Sequence, residues 1–265
     1  MSKFIDRLKQ LSEGSPQPMG FRLGAKAPSR LRIQLIGRLS KHQLTIKEED
    51  IAETDAVILA RDENLTTEIQ SFLKKSKYEK PIGIQYRTFP SSETKPADES
   101  GIDFAIFSSV MPITAFTGKD KGKILELDLS SIDSVLRAIN SLPVDAVMAA
   151  NMIQKGTVTY QDLLMIKRLT SSINKPFLLS IPAVITAAEV QAIWEAGVDG
   201  ILIDITDESK GILKNFRQII EKLDYPDTDH KNRPTPTVPR FTAGPVQKDD
   251  DDEEEEEDIG NGYRA

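Results

Sequence analysis

The fold of this chain is decided by one stretch of its sequence, Glu195-Ala196-Gly197-Val198-Asp199-Gly200-Ile201-Leu202-Ile203-Asp204. An amphipathic segment ends at a glycine here, and an aspartate then precedes a short apolar run. The same pattern of an aspartate before an apolar run occurs three more times, at 54–59, 102–107 and 144–149. The four aspartates are 48, 42 and 54 residues apart, and such spacing indicates an internal structural repeat.

A second set of apolar runs lies between the members of the first, at 32–36, 81–85, 123–127 and 176–180. Eight short runs therefore follow one another at intervals of about 24 residues. Amphipathic helices are predicted in several of the gaps, at 65–75, 131–141, 160–170, 186–196 and 209–223. Strands that alternate with helices form parallel sheets, and eight such units make a closed (β/α)8 TIM barrel. An open doubly wound sheet is the alternative.

The predicted barrel is compact, with shortened third and fourth crossovers. The third, 88–101, contains Pro90 and Pro96 and leaves little room for a helix, and the fourth, 110–122, is also short. The eight strands are predicted near 32–37, 56–60, 81–86, 103–108, 123–128, 145–150, 176–181 and 200–205.

The stretch from Glu195 to Asp204 is similar to the helix-to-strand passage that is common in aldolase-type TIM barrels. Residues 123–223 as a whole resemble the C-terminal half of such a protein. The resemblance implies that Gly197 caps the helix and that the next strand starts immediately. It implies a fold and not a chemistry, because many barrel families with different reactions contain this motif.

The N-terminal region, residues 1–29, is predicted to be an amphipathic helix followed by a linker. Its apolar side chains recur at helical spacing, namely Phe4, Ile5, Leu8 and Leu11. We expect this helix to lie against the barrel domain, residues 30–224, and docking onto a partner or a membrane surface is the alternative.

The C-terminal region, residues 225–265, is predicted to be disordered. Four prolines lie between Tyr225 and Arg240, and ten consecutive acidic residues follow at 249–258. Prolines lack a backbone N–H and like charges repel, so neither part favours regular structure. Without the ten acids, the formal net charge of -7 becomes +3 for the rest of the chain. Such a tail could engage a basic partner or screen the mildly basic remainder of its own chain.

The composition excludes several classes of protein. The chain has no cysteine, which excludes disulfides, thiolate nucleophiles, iron–sulfur clusters and cysteine zinc sites. It has only two histidines. No apolar run approaches the ~20 residues of a membrane span, and the N-terminus lacks the apolar core of a secretory signal. We therefore expect a cytoplasmic protein that binds no nucleic acid, since no basic stripe rich in aromatics is visible. Assembly into a homo-oligomer is left open.

The repeated aspartates, Asp55, Asp103, Asp145 and Asp199, precede the predicted strands. Active sites of this fold lie at the opposite end, where the strands finish. We therefore interpret these aspartates as structural residues of turns or loops and not as catalytic groups.

Alternation along the strands predicts which polar side chains point into the barrel. In the fifth strand Leu125 and Leu127 share the face that meets the helices, so Glu126 and Asp128 point inward. The same argument places Asp204 of the eighth strand inside, and we expect Glu126 and Asp204 to be substantially buried.

The third strand follows the same rule, so Gln85 and Arg87 point inward and the predicted lumen holds Arg87, Glu126, Asp128 and Asp204. A charge inside a barrel must be paired, because its desolvation is otherwise very costly.

These lumen residues are the candidate catalytic groups. Glu126 or Asp204 would act as a base and Arg87 as a clamp for an anionic group, with Asp128 as a candidate ligand for a divalent cation. Candidate substrate-binding residues come from the ends of three other strands, namely Arg61, Asn151 and Ser180. The alternative is a buried ion-pair network that only fills the lumen.

Two familiar chemistries of this fold lack their residues. A Schiff-base aldolase needs a lysine inside a strand near its end, and the predicted strands have none there. Phosphate-binding barrels carry glycine-rich turns after strands seven and eight, but 181–185 contains no glycine and 206–209 contains two acids. A phosphate site and flavin mononucleotide are therefore disfavoured. The cofactor is left open, with a divalent cation as one candidate.

Two functional interpretations follow. In the first, the chain is a lyase or isomerase that acts on a small polar or carboxylated metabolite. In the second, it is a non-catalytic barrel that serves as an interaction or scaffold module. The long acidic tail, the shortened first half and the missing phosphate loops support the second interpretation.

Overall fold

The computed structural model describes residues 2–12, 32–39, 51–61, 79–86, 101–116, 121–129, 132–153, 156–206 and 211–224. The chain divides into two units, Met1–Pro226 and Asp227–Ala265, and every described residue belongs to the first. The predicted helix at 65–75 and the predicted disordered tail at 225–265 lie outside the described residues.

Eight parallel strands form a closed barrel in which each strand pairs with its neighbours in sequence. They are β1 (Gln34–Leu39), β2 (Ala56–Arg61), β3 (Ile82–Tyr86), β4 (Phe104–Ser108), β5 (Gly122–Leu127), β6 (Ala146–Ala149), β7 (Phe177–Ser180) and β8 (Gly200–Ile205). β8 closes the barrel by pairing with β1, with Gln34 opposite Gly200 and Leu39 opposite Ile205. The predicted (β/α)8 barrel is confirmed, and each strand lies within two residues of its predicted bounds.

The described helices are α1 (Lys3–Ser12), α2 (Ile132–Ile139), α3 (Tyr160–Ser172), α4 (Ala187–Glu195) and α5 (Ile212–Glu221). The fourth crossover is short, as predicted, and its described part contains only the 3-10 helix Ile113–Phe116. None of the helices in these parts of the chain has the length and apolar character that crossing a membrane requires.

Alternation along the strands divides the apolar side chains into two clusters. Leu35, Leu59 and Ile84 belong to the larger cluster, which lies between the strands and the surrounding helices. The second cluster fills the lumen and includes Ile36, Ile58, Phe104, Ile106, Ile124, Ala146, Met148, Leu178 and Leu202. The lumen is therefore a packed core and not a pore, so a ligand site must lie at one of its ends.

The N-terminal helix α1 lies across the amino ends of the strands and closes the lumen there. Phe4, Ile5 and Leu8 are almost fully buried and belong to the lumen cluster. The ring of Phe4 stacks on Phe104 with 4.5 Å between centroids. A side chain at Gly122 would meet Ile5 at 2.4 Å, so the glycine that starts β5 allows this close approach. The predicted packing of the helix against the barrel is confirmed.

The repeated aspartates hold the amino ends of the strands together. Three of them accept a hydrogen bond from a backbone N–H of the preceding strand: Asp55 from Leu35 at 2.8 Å, Asp145 from Lys123 at 3.0 Å and Asp199 from Phe177 at 2.8 Å. The fourth, Asp103, accepts from the Ser2 hydroxyl and from the backbone N–H groups of Lys3 and Phe4. It therefore caps α1. The structural interpretation of the four aspartates is confirmed.

Candidate functional site

Polar side chains from six strands converge at the carboxyl end of the lumen. They occupy the last lumen-facing position of each strand, and we call this set the mouth: Arg38, Gln85, Ser108, Glu126, Ser180 and Asp204. The register places Arg38 opposite Asp204 and Ser108 opposite Glu126. Apolar side chains fill the lumen below the mouth, and α1 covers the far end. The mouth is therefore the open end of the lumen.

A chain of hydrogen bonds crosses the mouth. The Arg38 guanidinium donates to both carboxylate oxygens of Asp204, with Nε–Oδ1 of 2.5 Å and Nη2–Oδ2 of 2.7 Å. Its Nη1 donates to Oε1 of Gln85 at 3.3 Å, and Nε2 of Gln85 donates to Oε2 of Glu126 at 2.9 Å. The chain joins β8, β1, β3 and β5.

The hydrogen bonds of Gln85 set the orientation of its amide between Arg38 and Glu126. An arginine has only donors, so the oxygen of Gln85 must face Arg38 and its NH2 group must face Glu126. Gln85 is almost fully buried and Glu126 is half-buried. Oε1 of Glu126 has no hydrogen-bond partner among the described residues.

The ion pair at the mouth is more exposed than the sequence suggested. The side chain of Arg38 is 13% exposed, but that of Asp204 is 58% exposed. The expectation that Asp204 is substantially buried is therefore wrong, although its lumen-facing phase is right. Asp204 lies on the level above the last apolar layer, where the barrel opens. Water screens such a pair, so its contribution to stability is small.

The side chains of two predicted arginines are not among those described. Arg87, the predicted anion clamp, lies outside the described residues. Arg61 is the last residue of β2 and pairs with Tyr86, and its side chain is not described. Among the described side chains, Arg38 is the cation at the mouth. Alternation could have identified it, because Leu35 and Leu39 mark the outward face of β1.

The other predicted residues follow the strand ends. Ser180 is half-buried and lies opposite Leu202, on the lumen face. Asn151 is exposed just beyond β6 and has a φ of 57°, a conformation that asparagine tolerates better than most residues. Asp128 is exposed just beyond β5. In the described parts of the chain, no group of three or more histidine, aspartate or glutamate side chains could hold a metal ion.

Two cavities with fully described linings lie away from the mouth. The larger, about 600 Å³, runs between α4 and α5 and is lined by residues such as Gln191, Glu195 and Gln218. The smaller, about 210 Å³, lies at the amino end of β6 and β7 beside Lys9 and Lys175. Neither cavity contains a residue of the mouth.

Comparison with known proteins identifies the fold. No family model matches the sequence, and no curated protein sequence is significantly similar to it. A mutant tryptophan synthase alpha-subunit from Pyrococcus furiosus has a TM-score of 0.55 and 12% identity, over 72% of this chain and 98% of that chain. A 3-hexulose-6-phosphate synthase has a TM-score of 0.52 and 15% identity, over 71% of this chain and 100% of that one.

Orotidine 5'-phosphate decarboxylase from Pyrococcus horikoshii is similar in the same way, with a TM-score of 0.52 and 10% identity over 70% of this chain and 99% of that chain. At such identities the similarity concerns the fold and not the reaction. These neighbours are aldolase-type TIM barrels, and the fold of this chain is that of an aldolase-type (β/α)8 barrel.

Proposed function

We propose that this barrel is an enzyme of the lyase or isomerase class that binds a small polar metabolite at the mouth. The observation that supports it most is the asymmetry of the lumen. Its amino end is closed by α1 and packed with apolar side chains, whereas its carboxyl end carries polar groups from six strands. Enzymes of this fold have their active sites at that same end.

Glu126 is the residue that we propose for proton transfer. Both oxygens of Asp204 are engaged by Arg38, so Asp204 is the poorer base of the two predicted carboxylates. Glu126 is held at one oxygen by Gln85 and open at the other, which is the geometry that a general base requires. Ser180 would contact the substrate from β7. Arg61, Arg87 and Asn151 stay proposals for the same site.

The ion pair also bears on the substrate. Arg38 is the described cation of the mouth, and a carboxylate of the chain already neutralises it. Among the substrates considered, a polar metabolite without a carboxylate fits this arrangement better than a carboxylated one. The divalent cation also stays a proposal, with Asp128 as its candidate ligand.

A non-catalytic interaction module is the second candidate, because large apolar side chains are exposed around the carboxyl end of the barrel. They follow β4, β6 and β7 and comprise Val110 (86% exposed), Ile113 (88%), Tyr160 (88%), Leu164 (70%) and Val184 (71%). Exposed apolar groups near one face are typical of protein-binding surfaces.

A thermal-shift screen of small polar metabolites, alone and with Mg²⁺ or Mn²⁺, tests the enzyme proposal. A ligand at about 100 times its Kd should raise the melting temperature by about 5–10 °C. Hits are then incubated with the protein in D2O, and deuterium incorporation into the ligand is measured by mass spectrometry.

Glu126→Gln should lower the rate of deuterium incorporation by about 100-fold or more, because it removes the base and keeps the shape of the side chain. Ligand binding should change little. Glu221→Gln is the matched control, since Glu221 is exposed on α5 and is not part of the mouth. A screen without hits contradicts the enzyme proposal and favours the interaction module. A Glu126→Gln protein that exchanges as fast as wild type shows instead that Glu126 is not the base.

A further inference from the structure

Carboxylates of the chain occupy three places at the carboxyl end of the barrel where an anion would otherwise bind. The first place is the Arg38 guanidinium, whose Nε and Nη2 both donate to Asp204. This two-bond geometry is the one by which arginine recognises substrate carboxylates and phosphates. In this structure both of these donors already bond to Asp204.

The second place is the N-terminus of α4. Glu189 accepts from the backbone N–H and the hydroxyl of Thr186 at 2.8 and 2.6 Å, and from the N–H of Val158 at 2.7 Å. These bonds, the Thr186 hydroxyl first, lower the pKa of Glu189, so it stays ionised. A helix N-terminus attracts anions, and this one has its own.

The third place is the N-terminus of α3, which is built in the same way. Asp162 accepts from the backbone N–H and the hydroxyl of Thr159 at 2.8 and 2.7 Å. Between these two helices, the first two residues after β7 offer no backbone donor to an anion. The N–H of Ile181 donates to the carbonyl of Leu202 at 2.9 Å, and Pro182 has no N–H.

We propose that Asp204 is a specificity-determining residue, which keeps Arg38 neutralised and so makes the mouth select polar ligands without negative charge and reject phosphate and small carboxylates. Asp204 is the decisive member of the three carboxylates, because Asp162 and Glu189 also cap their helices, whereas the bonds of Asp204 to other described residues all go to Arg38. This inference rests on the proposed function in one respect: it takes the mouth as the ligand site.

The test is the gain of an anion site in Asp204→Asn. Asparagine keeps an acceptor for one arginine N–H but removes the charge that neutralises Arg38. Inorganic phosphate and malonate at 10 mM, compared with chloride at equal ionic strength, should raise the melting temperature of the variant by about 3–6 °C more than that of wild type. Calorimetric titration should show at least tenfold tighter binding than wild type. Asp204→Ser provides a second variant if the first does not fold.

Two further variants test whether the gain of anion binding depends on Arg38 and on the loss of Asp204. The double variant Arg38→Gln, Asp204→Asn should lose the gain, and Glu221→Gln should behave as wild type because it removes a carboxylate far from the mouth. A wild-type protein that binds phosphate as tightly as Asp204→Asn, or a gain that survives in the double variant, overturns the inference. If the gain appears and no uncharged ligand stabilises wild type, the selectivity stands and the proposed function fails. If a ligand is found and no gain appears, the selectivity alone fails.

Discussion

At the scale of single residues, one repeated sequence pattern has produced different electrostatic environments. Asp55 forms an ion pair with Arg217 at 2.9 Å, whereas Asp199 has no cation within ion-pair distance among the described residues. Burial raises the pKa of Asp199 from 3.8 to about 6, although the hydrogen bond from the Phe177 N–H acts in the opposite direction. Asp199 therefore holds β7 and β8 together while its charge opposes folding at neutral pH.

We expect Asp199→Asn to stabilise the protein at pH 8 by about 1–3 kcal/mol, because asparagine keeps the acceptor for Phe177 and removes the buried charge. Between about pH 4 and 6 the native state binds more protons at Asp199 than the unfolded state, so the wild-type contribution falls as pH rises through this window. The advantage of the variant should therefore shrink towards pH 4. Urea unfolding at pH 4 and pH 8 measures both effects.

Asp55→Asn is the matched comparison for this prediction, since it removes a carboxylate that has a cation partner. It should destabilise the protein at pH 8. An Asp199→Asn protein that is less stable than wild type at pH 8 would show that the charge of Asp199 is not a cost.

The sequence predicts which residues of the candidate site face the lumen, but not which of them bond to each other. Alternation placed Glu126, Gln85 and Asp204 on the lumen face, because the period of a strand does not depend on the rest of the fold. The bond between Arg38 and Asp204 joins positions 166 residues apart. It exists only after β1 and β8 meet, and their stagger sets which residues face each other.

At the scale of elements, α1 has a role in closing the lumen that its sequence does not predict. The spacing of its apolar residues predicts an amphipathic helix, but it carries no information on which surface the helix covers. The surface is the lumen itself, and the cap from Asp103 fixes the helix start against β4. The end of the lumen would otherwise expose Phe104 and its neighbours to water.

We expect Phe4→Ala to destabilise the protein by about 3–5 kcal/mol, because it removes a fully buried ring that stacks on Phe104. The loss cannot exceed the free energy that docks α1, so undocking is the alternative response of the variant. Urea unfolding measures the first effect, and faster proteolysis of the N-terminal segment reports the second. Gln10→Ala on the exposed face of α1 is the control. A loss below about 1 kcal/mol without faster proteolysis would contradict the sealing role.

At the scale of the whole molecule, the barrel consists of two halves that repeat their hydrogen bonds. Lys80, just before β3, donates to the carbonyls of Ala52 and Thr54. Lys175, just before β7, donates to the carbonyls of Leu142 and Val144 at 3.0 and 2.7 Å. In each half these carbonyls lie one and three residues before the repeated aspartate, Asp55 or Asp145. Burial lowers the pKa of both lysines, and the nearby aspartate opposes that shift.

The strand register repeats in the same way. The N–H of Val57 donates to Pro81 at 3.1 Å in the first half, and that of Val147 donates to Pro176 at 3.0 Å in the second. The internal repeat found in the sequence is thus a repeat of contacts as well as of strands. Sequence spacing predicts the strands, and a Lys-Pro pair precedes both β3 and β7. The acceptors of the two lysines do not follow from this pair, because they lie about 30 residues away in sequence.

We expect Lys80→Met and Lys175→Met to cost about 1–2 kcal/mol each, because each leaves two carbonyls, one exposed and one partly buried, without their charged donor. β3 and β7 lie on opposite sides of an eight-stranded barrel, so the double variant should lose the sum of the two within about 0.5 kcal/mol. Urea unfolding of the single and double variants measures this, with Lys214→Met on the exposed face of α5 as control. If one substitution costs as little as the control while the other is severe, the two halves differ in energy despite their shared geometry. A double variant that loses clearly more than the sum would instead show that the two halves are coupled through the lumen core.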